Sequence, residues 1–310
     1  VALLGVAASI LIGAYFLARG PQPAPPAQVA ARHAADSLTR VRLEAFERAD
    51  YAAWSVALRP DGILVGADPG GVAIGPTAAA DAMRAAGPVA RDLEPGPVMT
   101  GATRRGRLAW AATPLDFRGG GDSLPASGMH SVAWLLQDGE WRVMVEHDAR
   151  TPDWEALRAA AAARPFPSPA PLPGVQGRQA RDLARRFERW LPDLFGRRVD
   201  GEAIGVGPVP GAIAVGDSAV KAMFADLATR LGRPRLLPNG LGAWAPRGRG
   251  VGWVAANLEV TPPEWGGTTL PLRFTGVYRE RDEDNWSLVL AHLSVGVPDV
   301  PEPVAARAAR

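Results

Sequence analysis

The sequence predicts an α+β protein in which one domain occurs twice. Three observations carry that expectation: an internal repeat, the element order within each copy, and a shared ending. The stretch WRVMVEHDA begins at Trp141 and WSLVLAHLS at Trp286, so His147 and His292 each follow a tryptophan by six residues. The chain holds only four histidines. Upstream, Asp61-Gly62 matches Asp200-Gly201, the Ile74–Met83 stretch matches Val215–Met223, and LAWAATPLDF around Trp110 matches VGWVAANLEV around Trp253. From Asp61 to Asp200, Ile74 to Val215, Trp110 to Trp253 and His147 to His292, the offsets grow as 139, 141, 143 and 145. Ordered matches with small drift describe duplication of a whole domain rather than a short-period solenoid.

The chain opens on VALLGVAASILIGAYFLARG, and residues 1–18 carry no charge. Eighteen helical residues span about 27 Å, close to the apolar thickness of a bilayer. Tyr15, Phe16 and Arg19 suit an interfacial boundary. Residues 1–19 are therefore expected to be a single transmembrane anchor, with a cleaved signal peptide or a buried helix as alternatives. The Pro-rich spacer at 20–29 should be stiff and extended. An anchor, a stalk and no cysteine favour soluble domains outside the cytoplasm.

The first domain is expected over 30–150. A helix covers about Ala30–Val56, where Leu38, Val41, Ala45, Ala49 and Ala52 recur near helical spacing. A hairpin follows Asp61-Gly62, and a short helix starts after Gly75. Four strands come next, near Leu93–Thr100, Gly106–Phe117, Gly128–Gln137 and Glu140–His147, parted by turns such as QDGE. Residues 151–174 then form a helix, with Thr151 as N-cap and Pro152 at the first helical position, and a second Pro-rich linker. The second domain, 175–298, repeats the plan with a helix over Arg178–Phe195 and strands near Arg233–Trp244, Gly250–Thr261, Thr269–Arg281 and Asn285–Val295. Residues 299–310 are a tail. Helices first and an antiparallel meander after is an α+β arrangement.

These endings, and above all LRFTGVYRERDEDNWSLVLAHLS in the second copy, resemble the SnoaL-like branch of the nuclear transport factor 2-like superfamily. An Arg-x-Thr strand, a charged turn, a Trp and a terminal His-x-Ser carry the resemblance, and His292 and Ser294 fit its end. The first copy departs from it, with His130 set against Arg273 and EHDA against AHLS. The resemblance covers about 34–148 and 178–297. It implies a cone-like domain, a curved antiparallel sheet wrapped on helices, often with a cavity, and often pairing through the sheet. Two copies in one chain would then form an internal pseudo-dimer. Enzymes of the superfamily include isomerases, dehydratases and cyclases, but none of their cavity sets maps onto this chain residue by residue.

Side chains two apart on a strand share a face. Trp141, Val143, Val145 and His147 are thus expected on one side, as are Trp286, Leu288, Leu290 and His292. Each His is either a packed ring closing the sheet or a cavity base. Asp116 follows Trp110 by six, and Glu259 follows Trp253 by six, with Asn257 on the same face. A cavity there would raise a carboxylate's pKa, whereas a rim would leave it solvated. His130 offers a further polar group in the first copy. Trp110, Trp141, Trp253 and Trp286 are candidates for lining an apolar pocket or packing a core. Trp265, in TPPEWGG, is either an exposed contact loop or a tucked anchor.

The formal charge of +2, and the absence of a basic run interleaved with aromatics, argue against a nucleic-acid partner. Without cysteine there is no thiol catalysis and no thiolate metal site. No ligand-spaced His and carboxylate triad is visible, so neither metal nor other cofactor is expected. The best-fitting role is a membrane-anchored tandem protein binding a small apolar ligand or a protein partner without catalysis. The alternatives are an acid–base enzyme using His147, Asp116 and His130 or His292, Glu259 and Asn257, and a structural association module.

Overall fold

The computed structural model describes residues 23–66, 71–86, 92–118, 127–163, 165–191, 198–248, 250–281 and 285–295. The expected anchor and the C-terminal tail lie outside these residues. Among the described residues no helix is long and apolar enough to cross a membrane.

The first half runs α1 (Pro26–Glu47), α2 (Tyr51–Val56), β1 (Leu58–Val65), β2 (Val72–Ile74), α3 (Gly75–Ala86), β3 (Asp92–Pro95), β4 (Met99–Ala102), β5 (Leu108–Arg118), β6 (Ser127–Gln137) and β7 (Glu140–Arg150). Helix α4 (Trp154–Ala163) follows, and the second half continues with α5 (Arg178–Trp190), β8 (Val199–Val206), β9 (Ile213–Val215), α6 (Asp217–Leu231), β10 (Arg235–Trp244), β11 (Val251–Val260), β12 (Leu270–Glu280) and β13 (Trp286–Val295). The single helix expected over Ala30–Val56 is two. Ala49 adopts a left-handed φ of 53°, and the Asp50 carboxylate caps the restart by accepting from the Ala53 amide. Helix α4 likewise starts later than Thr151, because Asp153 Oδ1 accepts from the Glu155 amide at 2.8 Å.

The first sheet has the order β2-β1-β7-β6-β5-β3, with β4 also on β5, and the second has β10-β11-β12-β13-β8-β9. This is one topology used twice, with the two short strands β3 and β4 of the first sheet standing where the second has the single strand β10. In each half the long strands form an antiparallel meander. The last strand also pairs in parallel with the strand holding the Asp-Gly, β7 with β1 and β13 with β8. That long-range pairing is absent from the meander expected on sequence, because the periodicity of a strand does not name its neighbour.

Each sheet is buried on both faces. One face of the first packs on its own helices through Ala31, Ala35, Trp54, Ala79, Val132, Trp134 and Val143. One face of the second packs on α5 and α6 through Leu183, Phe187, Val220, Phe224, Phe274 and Leu293. Leu157 and Ala161 of α4 belong to that second core, so the helix between the halves is physically part of the second domain. The opposite faces of the two sheets meet. Ile63, Trp110, Met129 and Val145 share one cluster with Val206, Trp253, Val277 and Leu290. Sheet-on-sheet burial of this kind is driven by apolar area removed from water, at about 25 cal/mol per Å². Gly101 is required at this seam: a β-carbon there would lie 2.3 Å from Trp110 Nε1.

Candidate functional site

The two sheets have an inner face toward their helices and an outer face toward each other, and one local feature assigns the side chains between them. Ala133 pairs with Val145 but Trp134 pairs with Val143, so Met144 is an extra residue in β7. Val277 pairs with Leu290 but Tyr278 with Leu288, so Val289 is extra in β13. A β-bulge of this kind shifts side-chain parity by one. The shared face expected for Trp141 and His147 is therefore corrected. Trp141 and Val143 lie on the inner face and Val145 and His147 on the seam; Trp286 and Leu288 lie inside and Leu290 and His292 at the seam.

At the seam the two histidines meet. Their rings stack with centroids 3.8 Å apart and planes 21° apart. His147 Nδ1 is 2.9 Å from Thr275 Oγ1, and Nε2 is 2.8 Å from Ser294 Oγ. His292 Nδ1 is 2.8 Å from Ser131 Oγ. Each ring is thus held by hydroxyls of the other half, and all five side chains are buried. Burial pulls both rings down. His147 falls well below the usual histidine value, through burial first and then the charges of His292, Arg273 and His130. His292 falls to about 3, through burial and then His130. Both are neutral across the physiological range, and their geometry is that of a packed interdomain contact.

The remaining seam-face candidates are structural or solvated. Trp110 donates Nε1 to the Glu202 carbonyl of the other half at 3.0 Å, and Trp253 packs in the same cluster, so both fill the seam rather than line a pocket. Asn257 donates to the Ala170 carbonyl at 2.8 Å and pins the Pro-rich linker. Asp116 is exposed, and Glu259 pairs with Arg235 at 2.6 Å. Trp265 is buried with its ring 5.1 Å from that of Trp154, which makes the TPPEWGG loop a tucked anchor for α4. The first helix is latched to the second half as well: Gln28 Nε2 and Arg32 both donate to the Glu202 carboxylate.

His130 stands apart. It lies on the inner face of the first domain with Val132 and Trp134, in a cluster that contiguous sequence motifs do not display. His130 Nδ1 lies 2.7 Å from Asp148 Oδ1 and 3.8 Å from Glu146 Oε1. Arg42, from α1, donates Nε to Glu146 Oε2 at 2.7 Å, and its guanidinium sits 4.2 Å above the Trp54 ring. Trp54 Nε1 donates to Glu146 Oε1 at 3.3 Å. Burial is the largest influence on His130 and lowers its pKa, but the Asp148 charge, its hydrogen bond and Glu146 outweigh burial and Arg42, so the net shift is upward. His130 Nε2, also buried, has no hydrogen-bond partner among the described residues.

The alignment of His130 with Arg273 is corrected by register. Ser131 pairs with His147 and Thr275 with His292, so the position matching His130 is Phe274. By the same register Asp148 matches Leu293 and Glu146 matches Ala291. The first domain has a charged inner floor where the second has an apolar one. The structure also brings together what sequence spacing hid: His130, Glu146 and Asp148 offer ligand atoms within 4.8 Å of one another. The signal was the alternation Glu146-His147-Asp148, which puts two carboxylates on one face. That donor density would suit a divalent cation, yet the guanidinium of Arg42 already sits on Glu146, and His130 Nδ1 is already engaged by Asp148.

The fold and site define two α+β domains of one topology, one with a polar inner face, joined through their sheets. No family model matches the chain, and no curated protein sequence does. Solved structures do. An NTF2-like protein of unknown function from Pseudomonas putida is 24% identical, covers 40% of this chain and 91% of its own, and has a TM-score of 0.32. An NTF2-like protein from Cytophaga hutchinsonii is 16% identical over 35% and 88%, with a TM-score of 0.30. A ketosteroid isomerase-like protein from Erwinia carotovora atroseptica is 18% identical over 39% and 97%, with a TM-score of 0.32. Nearly the whole of each matches about two-fifths of this chain. That is about the length of one of its two sheet-bearing halves. The repeated strand order shows two copies of one α+β topology.

Proposed function

We propose that this chain is a membrane-anchored tandem binding protein in which the inner face of the first domain takes a small, largely apolar ligand. The second domain is its built-in partner. One observation carries the reading: the two halves share a topology and a seam, but the first has the charged cluster His130, Glu146 and Asp148 on its inner face where the matching positions of the second are Phe274, Ala291 and Leu293. A buried polar atom without a partner is costly and is retained where something else satisfies it. The seam histidines, by contrast, stack on each other and are held by hydroxyls of the opposite half. The uncharged residues 1–18 support the anchor, and with it a place at the cell envelope.

The test is a thermal-shift screen of a small-molecule library against the chain and the variant H130F, which installs the second domain's own residue. Ligands that raise the melting temperature of the first and not of the variant support the reading. Hits that ignore the substitution count against it. The anchor is checked separately, by whether deleting residues 1–19 releases the chain from the membrane fraction.

An acid–base enzyme remains a second reading, favoured by the His130–Asp148 pair. A carboxylate that orients an imidazole is the arrangement general acid–base chemistry uses. Of the residues expected for that role, His130 alone is on an inner face.

A further inference from the structure

We propose that the Pro-rich segment 165–174 is a built-in cap on the open edge of the second sheet, and that it keeps β10 from pairing with the β10 of a second copy of this chain. Strand β10 ends the sheet order β10-β11-β12-β13-β8-β9 and is ten residues long, whereas β9 at the other end has three. A long free edge presents a row of unpaired amides and carbonyls to any extended chain. Here the segment lies along that edge. The Leu172 amide donates to the Asn239 carbonyl at 3.2 Å, the Ala243 amide donates to the Gly174 carbonyl at 3.2 Å, and Val175 then bridges Ala243 in parallel. Asn257 of β11 holds the Ala170 carbonyl at 2.8 Å. Leu172 is buried in the cluster between the sheets, and Pro173 lies so close to Gly242 that a β-carbon there would be 3.3 Å from its Cδ.

The sequence of the segment explains why the cap stops the sheet instead of extending it. Successive residues of an extended chain turn their amides and carbonyls to opposite sides. The residues that bond to the second sheet are Ala170, Leu172 and Gly174, all at even positions. Every odd position from 165 to 173 is proline, in PFPSPAPLPG. Proline has no N–H, so the outward side carries carbonyls but no donor, and a further strand finds half of its ladder missing. The first sheet closes the matching edge by other means: the Ala102 amide of β4 donates to Glu202 Oε2 at 3.2 Å, and its carbonyl accepts from Gln28 Nε2 at 2.8 Å. Without the cap, Asn239 and Ala243 would regain free backbone groups. A second β10, antiparallel about a two-fold axis, meets them with the same groups, and pairing of that kind closes at two copies.

The full chain and two variants are compared in one detergent by sedimentation velocity across a wide range of concentration. One variant replaces 165–174 with a glycine–serine run of equal length and frees β10. The other, P169A/P171A/P173A, keeps the cap but restores outward donors, and it decides alone if the first fails to fold. The unmodified chain should sediment as one copy at every concentration, and both variants should form dimers that dissociate on dilution. Either variant, folded by circular dichroism yet still a single copy at the highest concentration, would overturn the proposal. So would an unmodified chain that dimerises as readily as the variants. Hydrogen exchange of the unmodified chain needs no variant: the Leu172 and Ala243 amides should exchange about ten-fold slower than freely exposed ones. Exchange of both at the unprotected rate would equally overturn it, because the cap would not be seated.

Discussion

Acidification should loosen the seam before it harms either core, and the size of the effect follows from the two stacked rings. His292 has a folded pKa of about 3, against 6.5 for an unconstrained histidine. A depressed histidine is neutral in the folded chain and charged in the unfolded one, so the unfolded state binds more protons. Stability therefore falls as pH drops below 6.5, and keeps falling until the folded pKa is reached. Each pH unit in that window costs about 1.4 kcal/mol per group. Between pH 6.5 and 5, His292 alone removes about 2 kcal/mol, a large share of a marginal total. His147 is depressed too and acts in the same direction. His130, whose pKa is raised, acts oppositely: its contribution is full below 6.5 and fades as pH rises through its folded value. The assay is urea unfolding at pH 7 and pH 5 of the chain and of H147Q/H292Q. The double variant should lose at least about 2 kcal/mol less than the parent on acidification, because it removes the His147 contribution along with that of His292. Equal losses in the two proteins would refute the reasoning.

The other predictions concern packing and paired charge. Gly101→Ala forces a methyl group into the Trp110 indole at 2.3 Å and should destabilise by about 1–3 kcal/mol, read as a lower urea midpoint at unchanged slope. Arg42→Met strands Glu146, which is 1% exposed, and should cost about 3–5 kcal/mol. Arg42→Met with Glu146→Met should be milder than the single change, and a double-mutant cycle by chemical denaturation checks this. Trp265→Ala removes a buried ring from beneath α4 and should cost about 3–5 kcal/mol, with faster proteolysis of the 151–174 segment. Glu202→Ala removes a half-exposed acceptor shared by Gln28 and Arg32, so its effect should stay near 1 kcal/mol, read by thermal melting.

The duplication and most strands were legible in the sequence because both depend on local pattern. Ordered matches survive drift, and alternating apolar residues describe β5, β11 and β12 well. What could not be read was parity across a bulge. Counting by twos from Trp141 reaches His147 on the Trp face, and only the extra Met144, visible as a shift in pairing with β6, moves it to the seam. The same limit hid the site. Glu146 and Asp148 flank His147 in sequence, yet their partners Arg42 and Trp54 lie on helices about a hundred residues earlier, and no spacing rule links them. Strand parity places Asp116 on the Trp110 face of β5, and Asn257 and Glu259 on the Trp253 face of β11, but it does not say whether those faces meet water, a linker or another sheet.

The bulges at Met144 and Val289 have a consequence for redesign. Because each last strand changes sides partway along, one stretch of chain serves two clients whose demands are kept apart. The interior of either domain can be recut at positions such as His130, Glu146, Asp148 or Phe274 without touching a residue that binds the halves together. An engineer wanting a second pocket would therefore start by polarising Phe274, Ala291 and Leu293 in the apolar half, leaving His147 and His292 alone as the hinge pin that keeps the pair in register.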